Sequence, residues 1–341
     1  MPKSRRHTPL RLHIVVLHDS PTFVPLGIAD MLRKAAAIAR GIQRTPREVD
    51  ITLTAPGDTL AVTGAGGTIV RCTTRIADVD ESDLIVVPAL DPEIVEHLEL
   101  NAAVVPWLRE HYACGADVAS ACTGAFLLGE AGLLDNRAAT THWAFQHLLA
   151  GRYPRTRVLP QAILVDQGRV LTAGGATSFV NLALHLAERV FGADSARVAS
   201  KMFLVDVNKA PQSAYAMFSS QKTHGDDGIL RAQQMIEQKL TRAPGVEQLA
   251  RAVAMSPRTF ARRFAQATGN TPLEYTQRVR IEAAKRALEA GDRVASVASS
   301  VGYSDAASFR RLFARITGLS PADYRASYGP SYAPTMVQGR Q

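Results

Sequence analysis

The chain has 341 residues, 46% hydrophobic and 21% charged, with 39 Lys+Arg against 31 Asp+Glu and three cysteines. That length predicts two domains, each with its own core. No apolar run of about 18 residues occurs, which excludes an α-helical membrane span. Cys72, Cys114 and Cys122 lack the paired spacing of a disulfide framework or zinc site, so a reducing, cytoplasmic setting is expected, with no metal and no cofactor.

The chain starts basic (1–7), and the apolar stretch that follows is broken by Arg11 and His13. It reads as a first strand, 12–17, rather than a signal peptide. Further short apolar strands are predicted at 49–54, 83–87, 117–121, 162–166 and 169–172. Helices are predicted at 25–40, 93–112, 123–131, 141–150 and 177–191. This alternation predicts a parallel sheet flanked by helices, with ligands beyond the carboxyl ends of the strands.

The segment 118–128, VASACTGAFLL, holds the chemistry of this half. A strand ends in small residues, Cys122 sits at the turn, and Gly124 opens a helix, which is the pattern of a nucleophile elbow. The helix N-terminus is expected to lower the Cys122 pKa and favour thiolate. ATTHW at 139–143 supplies His142 as a candidate base. Cys122, Thr123, His142 and Gly174 are therefore the candidate pocket or vestigial catalytic residues. Three uses of Cys122 stay open: the floor of a small-molecule pocket, a nucleophile, or a small buried apolar side chain. Trp143 reads as core.

The region 10–195 resembles the PfpI-type branch of the class I glutamine amidotransferase superfamily, which has a flavodoxin-like α/β fold. The matching pieces are the Cys122 elbow, the TTH ending in His142, and Gly174–Gly175 before the last large helix. Enzymes of that superfamily carry an acid after the first strand, hydrogen-bonded to the cysteine. Here the corresponding position falls on Pro25, which neither accepts a proton nor orients a thiol. The resemblance therefore implies a sensor rather than an enzyme. A cysteine-dependent hydrolase or amidotransferase-like enzyme, or a Cys122 redox sensor, is the alternative.

After a polar linker at 219–228, the chain carries a repeat. Residues 260–275 read FARRFAQATGNTPLEY and residues 309–324 read FRRLFARITGLSPADY. At an offset of 49, eight of sixteen positions agree, so one supersecondary unit is used twice. Each copy pairs Phe at i and i+4 on one helical face, then stops at Gly with Pro three residues on. The Phe residues are expected in the core. Helices at 246–253 and 294–301 precede the copies. Ser256 with Pro257, and Ser304 or Asp305, are expected to start the second helix of each pair. That is helix, tight turn, helix. A long helix, 271–290, joins the two units. From Arg231 onward there are 17 Lys+Arg and 8 Asp+Glu, a net +9, while residues 1–230 carry −1. A basic domain of this size attracts a polyanion.

The region 228–327 resembles the AraC-type DNA-binding domain over its whole length, and its fusion to a PfpI-like domain resembles a known class of regulators. The resemblance implies groove-facing residues at Arg258, Ala261 and Arg262 in one reading helix, and at Ala306, Ala307, Arg310 and Arg311 in the other. Arg there can fork onto guanine or clamp phosphate, and Ala can touch a thymine methyl. Arg263, Gln266 and Arg315 are expected on phosphate or in solvent. The expected architecture is a flavodoxin-like parallel-sheet sensor domain (8–218), the linker, an all-α double helix-turn-helix domain (229–328) and a disordered tail (329–341). The expected partners are double-stranded DNA with nucleoid association when bound, RNA polymerase for an activator, an amino-acid-like effector and a second copy of the chain.

Overall fold

A computed structural model describes residues 9–175, 177–205, 211–218, 221–222 and 224–330. The expectations for residues 1–7, for part of 219–228 and for nearly all of 329–341 fall outside them. The chain divides into two compact units, 1–212 and 213–341.

The strands of the first unit are β1 (Leu10–Val15), β2 (Val49–Ala55), β3 (Ala61–Thr63), β4 (Ile69–Arg71), β5 (Thr74–Arg75), β6 (Leu84–Val87), β7 (Asp117–Ala121), β8 (Ala138–Ala139), β9 (Arg157–Val158), β10 (Leu164–Asp166) and β11 (Val170–Ala173). Seven of them form one sheet in the order β10-β11-β7-β6-β1-β2-β5. Its pairings are parallel except at one edge, where β10 runs antiparallel to β11. Both faces of the central strands are covered, so β6 (LIVV) reads as a continuous apolar run, while β1 buries the polar ring of His13 against Thr54 Oγ1 at 3.1 Å. Helices α1 (Phe23–Ile42), α6 (Ser178–Phe191) and α7 (Ala193–Met202) cover one face through Ile28, Leu32, Leu182 and Leu186. Helices α2 (Ile94–Leu100), α3 (Val104–Ala113) and α4 (Ala125–Glu130) cover the other through Ile94, Leu108 and Phe126. Helix α5 (Gln146–Arg152) follows the β8 excursion.

The single helix expected at 93–112 is two helices. Asn101 breaks it: its side chain accepts from His18 N at 2.9 Å and donates to His97 O at 2.9 Å. An amide that bonds backbone on two elements competes with helix continuation. This clamp ties the end of α2 to the loop leaving β1. Helix α7 carried no signal strong enough to be expected from the sequence.

The second unit is helical. After the short α8 (Gln212–Tyr215), which begins on the last residue of the first unit, come α9 (Asp227–Gln238), α10 (Val246–Ala252), α11 (Pro257–Thr268), α12 (Pro272–Glu289), α13 (Val294–Ser300), α14 (Ala306–Thr317) and α15 (Pro321–Tyr328). Every repeated residue with a packing or capping role performs that role twice. Phe260 and Phe264, like Phe309 and Phe313, are at most 1% exposed. Full burial of each ring contributes about 1.5–3 kcal/mol. Tyr275 packs edge-on to Phe264 at 5.3 Å, and Tyr324 to Phe313 at 5.4 Å. Their hydroxyls donate to Glu237 at 2.8 Å and to Glu289 at 2.6 Å. Thr268 and Thr317 each donate to the carbonyl four residues back at 2.8 Å. Gly269 and Gly318 end their helices at φ 67° and 77°, the left-handed region that favours glycine. Pro272 and Pro321 then open the next helix at its first turn.

Candidate nucleic-acid interface and Cys122 site

Each candidate reading helix is started by a side-chain cap. Ser256 Oγ accepts from Thr259 N at 3.3 Å to start α11. Asp305, not Ser304, starts α14, because its two carboxylate oxygens accept from Ala307 N and Ser308 N at 3.0 Å each. The turns before them share a left-handed residue, Ala254 at φ 55° and Gly302 at φ 89°. Beneath the second turn, Arg280 donates to Leu240 O at 3.0 Å and lies 5.3 Å from the Tyr303 ring centroid.

Arg258, Arg262, Arg310, Arg311, Ala306 and Ala307 are exposed, and Ala261 is half-buried. Among the described residues no hydrogen bond or ion pair holds Arg258 or Arg310. Arg262 reaches only Gln266 on its own helix at 3.4 Å, and Arg311 reaches Ser308 at 2.9 Å. By helical spacing Arg258, Arg262 and Arg311 lie on the faces away from the Phe pairs, and Arg310 lies to the side. Arg263 differs from its expectation. It pairs with Asp226, the N-cap of α9, at 2.8 Å, which fastens α11 to α9. The signal was Asp226 itself, an Asp ahead of an apolar helical pattern. Arg315 approaches Gln277 on α12 at 3.4 Å.

In the first unit, Cys122 occupies the turn between β7 and a 3-10 turn (Cys122–Gly124) that leads into α4. Its φ is 56°, uncommon for a residue with a Cβ and a feature of nucleophile elbows. Gly124 is required here: a Cβ would lie 2.3 Å from Pro88 O. Thr123 Oγ1 donates to Leu90 O at 2.6 Å and Thr141 Oγ1 to Cys122 O at 2.9 Å, so both hydroxyls lock the elbow to its neighbours.

The expected thiolate is not favoured. Burial pushes the Cys122 thiol above its ordinary range, outweighing the opposing hydrogen bonds from Thr123. The turn after the cysteine is a single 3-10 turn followed by a six-residue helix, a weak dipole against the loss of solvent. Burial also keeps the His142 imidazole neutral, below its ordinary pKa. His142 Nδ1 accepts from Ala144 N at 3.1 Å and its ring lies 5.1 Å from that of Trp143. Pro25 is buried within α1.

A residue that sequence reasoning missed completes this region. Gln212 is 3% exposed, and its amide fills the space above Gly174, where a Cβ would lie 2.4 Å from it. Its only sequence signal was Gly174–Gly175, small residues that admit a close neighbour.

Fold and site together define a two-part regulator: an α/β unit with a retained elbow, and a paired helix-turn-helix unit with basic exposed faces. Family models agree, one for a helix-turn-helix domain over residues 249–327 and one for the DJ-1/PfpI family over residues 35–189. The HTH-type transcriptional regulator GlxA of Rhizobium meliloti is 28% identical over 226 residues, covering 65% of this chain and 69% of the relative. The isonitrile hydratase of Pseudomonas putida is 32% identical over 179 residues, covering 48% of this chain and 76% of the relative. The crystal structure of Drosophila melanogaster DJ-1beta superposes with a TM-score of 0.50 at 18% identity, covering 58% of this chain and all of that one, which speaks to the fold alone. The chain belongs to the AraC-type transcriptional regulators that carry an amino-terminal DJ-1/PfpI domain.

Proposed function

We propose that this regulator reads DNA with α11 and α14 in two successive major-groove segments. Arg258, Ala261 and Arg262 serve one segment, and Ala306, Ala307, Arg310 and Arg311 the other. The observation that carries the reading is the pair of side-chain-capped helices, each burying a Phe pair and exposing arginines to solvent. Arg262 and Arg311 occupy the same place in the two repeats and are the base readers, each worth about 1–3 kcal/mol of discrimination. The first unit senses a small molecule over the floor formed by Cys122, Thr123, His142 and Gly174, and it pairs with a second copy. Ligand shifts the population competent to grip DNA and to contact RNA polymerase, which makes the protein an activator.

The test is selection of genomic fragments by the purified chain. Recovery of one defined site with two half-elements about 34 Å apart, lost with Arg262→Ala plus Arg311→Ala, is the expected result. Recovery of sequence-indifferent fragments by both proteins would sink the reading.

An enzymatic second reading rests on the strained Cys122 elbow and the likeness to an isonitrile hydratase. The thiol pushed up by burial and the proline in place of an acid weigh against turnover. Isonitrile consumption by the wild-type chain that disappears with Cys122→Ser would restore it.

A further inference from the structure

The amide of Gln212 is held as a bound ligand would be. Its Oε1 accepts from Gly175 N at 2.8 Å and from Trp143 N at 3.1 Å. Its Nε2 faces Thr141 O at 3.0 Å, Ala162 O at 3.0 Å and Thr140 Oγ1 at 3.1 Å. Two backbone donors and two backbone carbonyls fix which end is oxygen and which is nitrogen. The network satisfies both lone pairs of the oxygen and both hydrogens of the nitrogen. Thr140 and Thr141 are fully buried, and Thr140 is itself anchored by Thr172. A carboxylate offers no donor to the two carbonyls, and an ammonium offers no acceptor to the two N–H groups. The cradle therefore selects a primary carboxamide. Gly174 leaves the room for it, and Thr141 connects it to the elbow through Cys122 O.

Gln212 is also the last residue of the first unit, and the chain passes from it directly into the second. We propose that this cradle is a binding site for small molecules bearing a primary carboxamide. Gln212 is its intramolecular occupant, so a free carboxamide competes with the side chain of the last residue of the first unit, and displacement releases that side chain from the unit's own cradle. This deepens the sensor reading above by naming the ligand chemistry, and it rests on that reading only for the effect on DNA.

The probe is propionamide, which reproduces the end of the glutamine side chain, titrated by calorimetry into the full chain. Gln212→Ala opens the cradle and removes a competitor present at high effective concentration. The expected result is that propionamide binds Gln212→Ala at least about tenfold more tightly than wild type, a difference of about 1.4 kcal/mol or more. Propionate and N,N-dimethylpropionamide bind neither protein. Equal affinity of the two proteins for propionamide, or equal binding of the dimethyl amide, overturns the proposal. Should Gln212→Ala not fold, Gln212→Glu keeps the side-chain shape while placing an acceptor against the carbonyls of Thr141 and Ala162. Failure of propionamide to bind that variant more tightly than wild type overturns it equally. DNA binding is read in parallel: absence of site-specific binding by the wild-type chain without propionamide defeats the regulator reading and leaves the cradle untouched.

Discussion

At Cys122, two signals in the sequence point in opposite directions, and solvent decides between them. The elbow is kept in full, with a left-handed φ, a glycine that permits close approach to Pro88 O, and two threonine hydroxyls that lock it. A short helix start favours thiolate, but removing the sulfur from water costs the charged form more. Reactivity follows thiolate fraction and access. Cys114 is exposed, whereas Cys122 and Cys72 are buried, and burial pushes Cys72 up to about 11. With iodoacetamide at pH 7.5 and peptide mass spectrometry, Cys114 is expected to label first, with Cys122 at least about tenfold slower. Labelling of Cys122 at or above the Cys114 rate would mean an activated thiol and would reopen enzyme and redox-sensor roles.

The repeat shows at the level of elements how far a sequence states its own structure. The eight identities between 260–275 and 309–324 were legible because most serve a backbone or packing need: ring pairs, a left-handed helix end, a proline-opened helix, a tyrosine closing the core. Six of the seven strands of the main sheet were legible as short, largely apolar segments, whereas β5 (Thr74–Arg75), two residues long and polar, was not. The split between α2 and α3 was not, because it depends on Asn101 meeting a backbone 83 positions away. The cradle was equally hidden: Gln212 lies 69 positions from Trp143, and no local pattern announces a polar contact of that kind. The turns between the paired helices carry a prediction. Gly302 stands at φ 89°, and a Cβ there would lie 2.6 Å from Thr241 O and 3.0 Å from Arg280. Gly302→Ala therefore adds left-handed strain to a backbone clash and is expected to cost about 2 kcal/mol or more. At Ala254 the same conformation already carries a Cβ. Ala254→Gly is expected to be neutral or mildly stabilising. Urea unfolding of the two variants checks this, and a Gly302→Ala chain as stable as wild type would refute it.

Across the whole molecule, charge is divided as function is. Residues 1–230 carry a net −1 and residues 231–341 a net +9, so the field that draws polyanions comes from the helical unit. Part of that positive charge is engaged internally: Arg263 pairs with Asp226, Lys285 with Glu282, and Arg280 lies against the Tyr303 ring. Arg258 and Arg310 are exposed and, among the described residues, bonded to nothing, so their charge is available to phosphate. Each phosphate neutralised releases counterions and adds about 0.9 to the slope of log K against log salt. On a selected site the full chain is expected to weaken steeply as salt rises. Arg258→Ala and Arg310→Ala should each flatten that slope by about 1 while leaving the preferred sequence unchanged. Arg262→Ala and Arg311→Ala should instead relax the preference at one position each, because a base contact releases no condensed counterion. Fluorescence anisotropy over a salt series on the selected site and its single-base variants separates the two behaviours. A slope unmoved by Arg258→Ala and Arg310→Ala would place those guanidiniums away from the backbone and break the assignment of α11 and α14 as the helices that grip DNA.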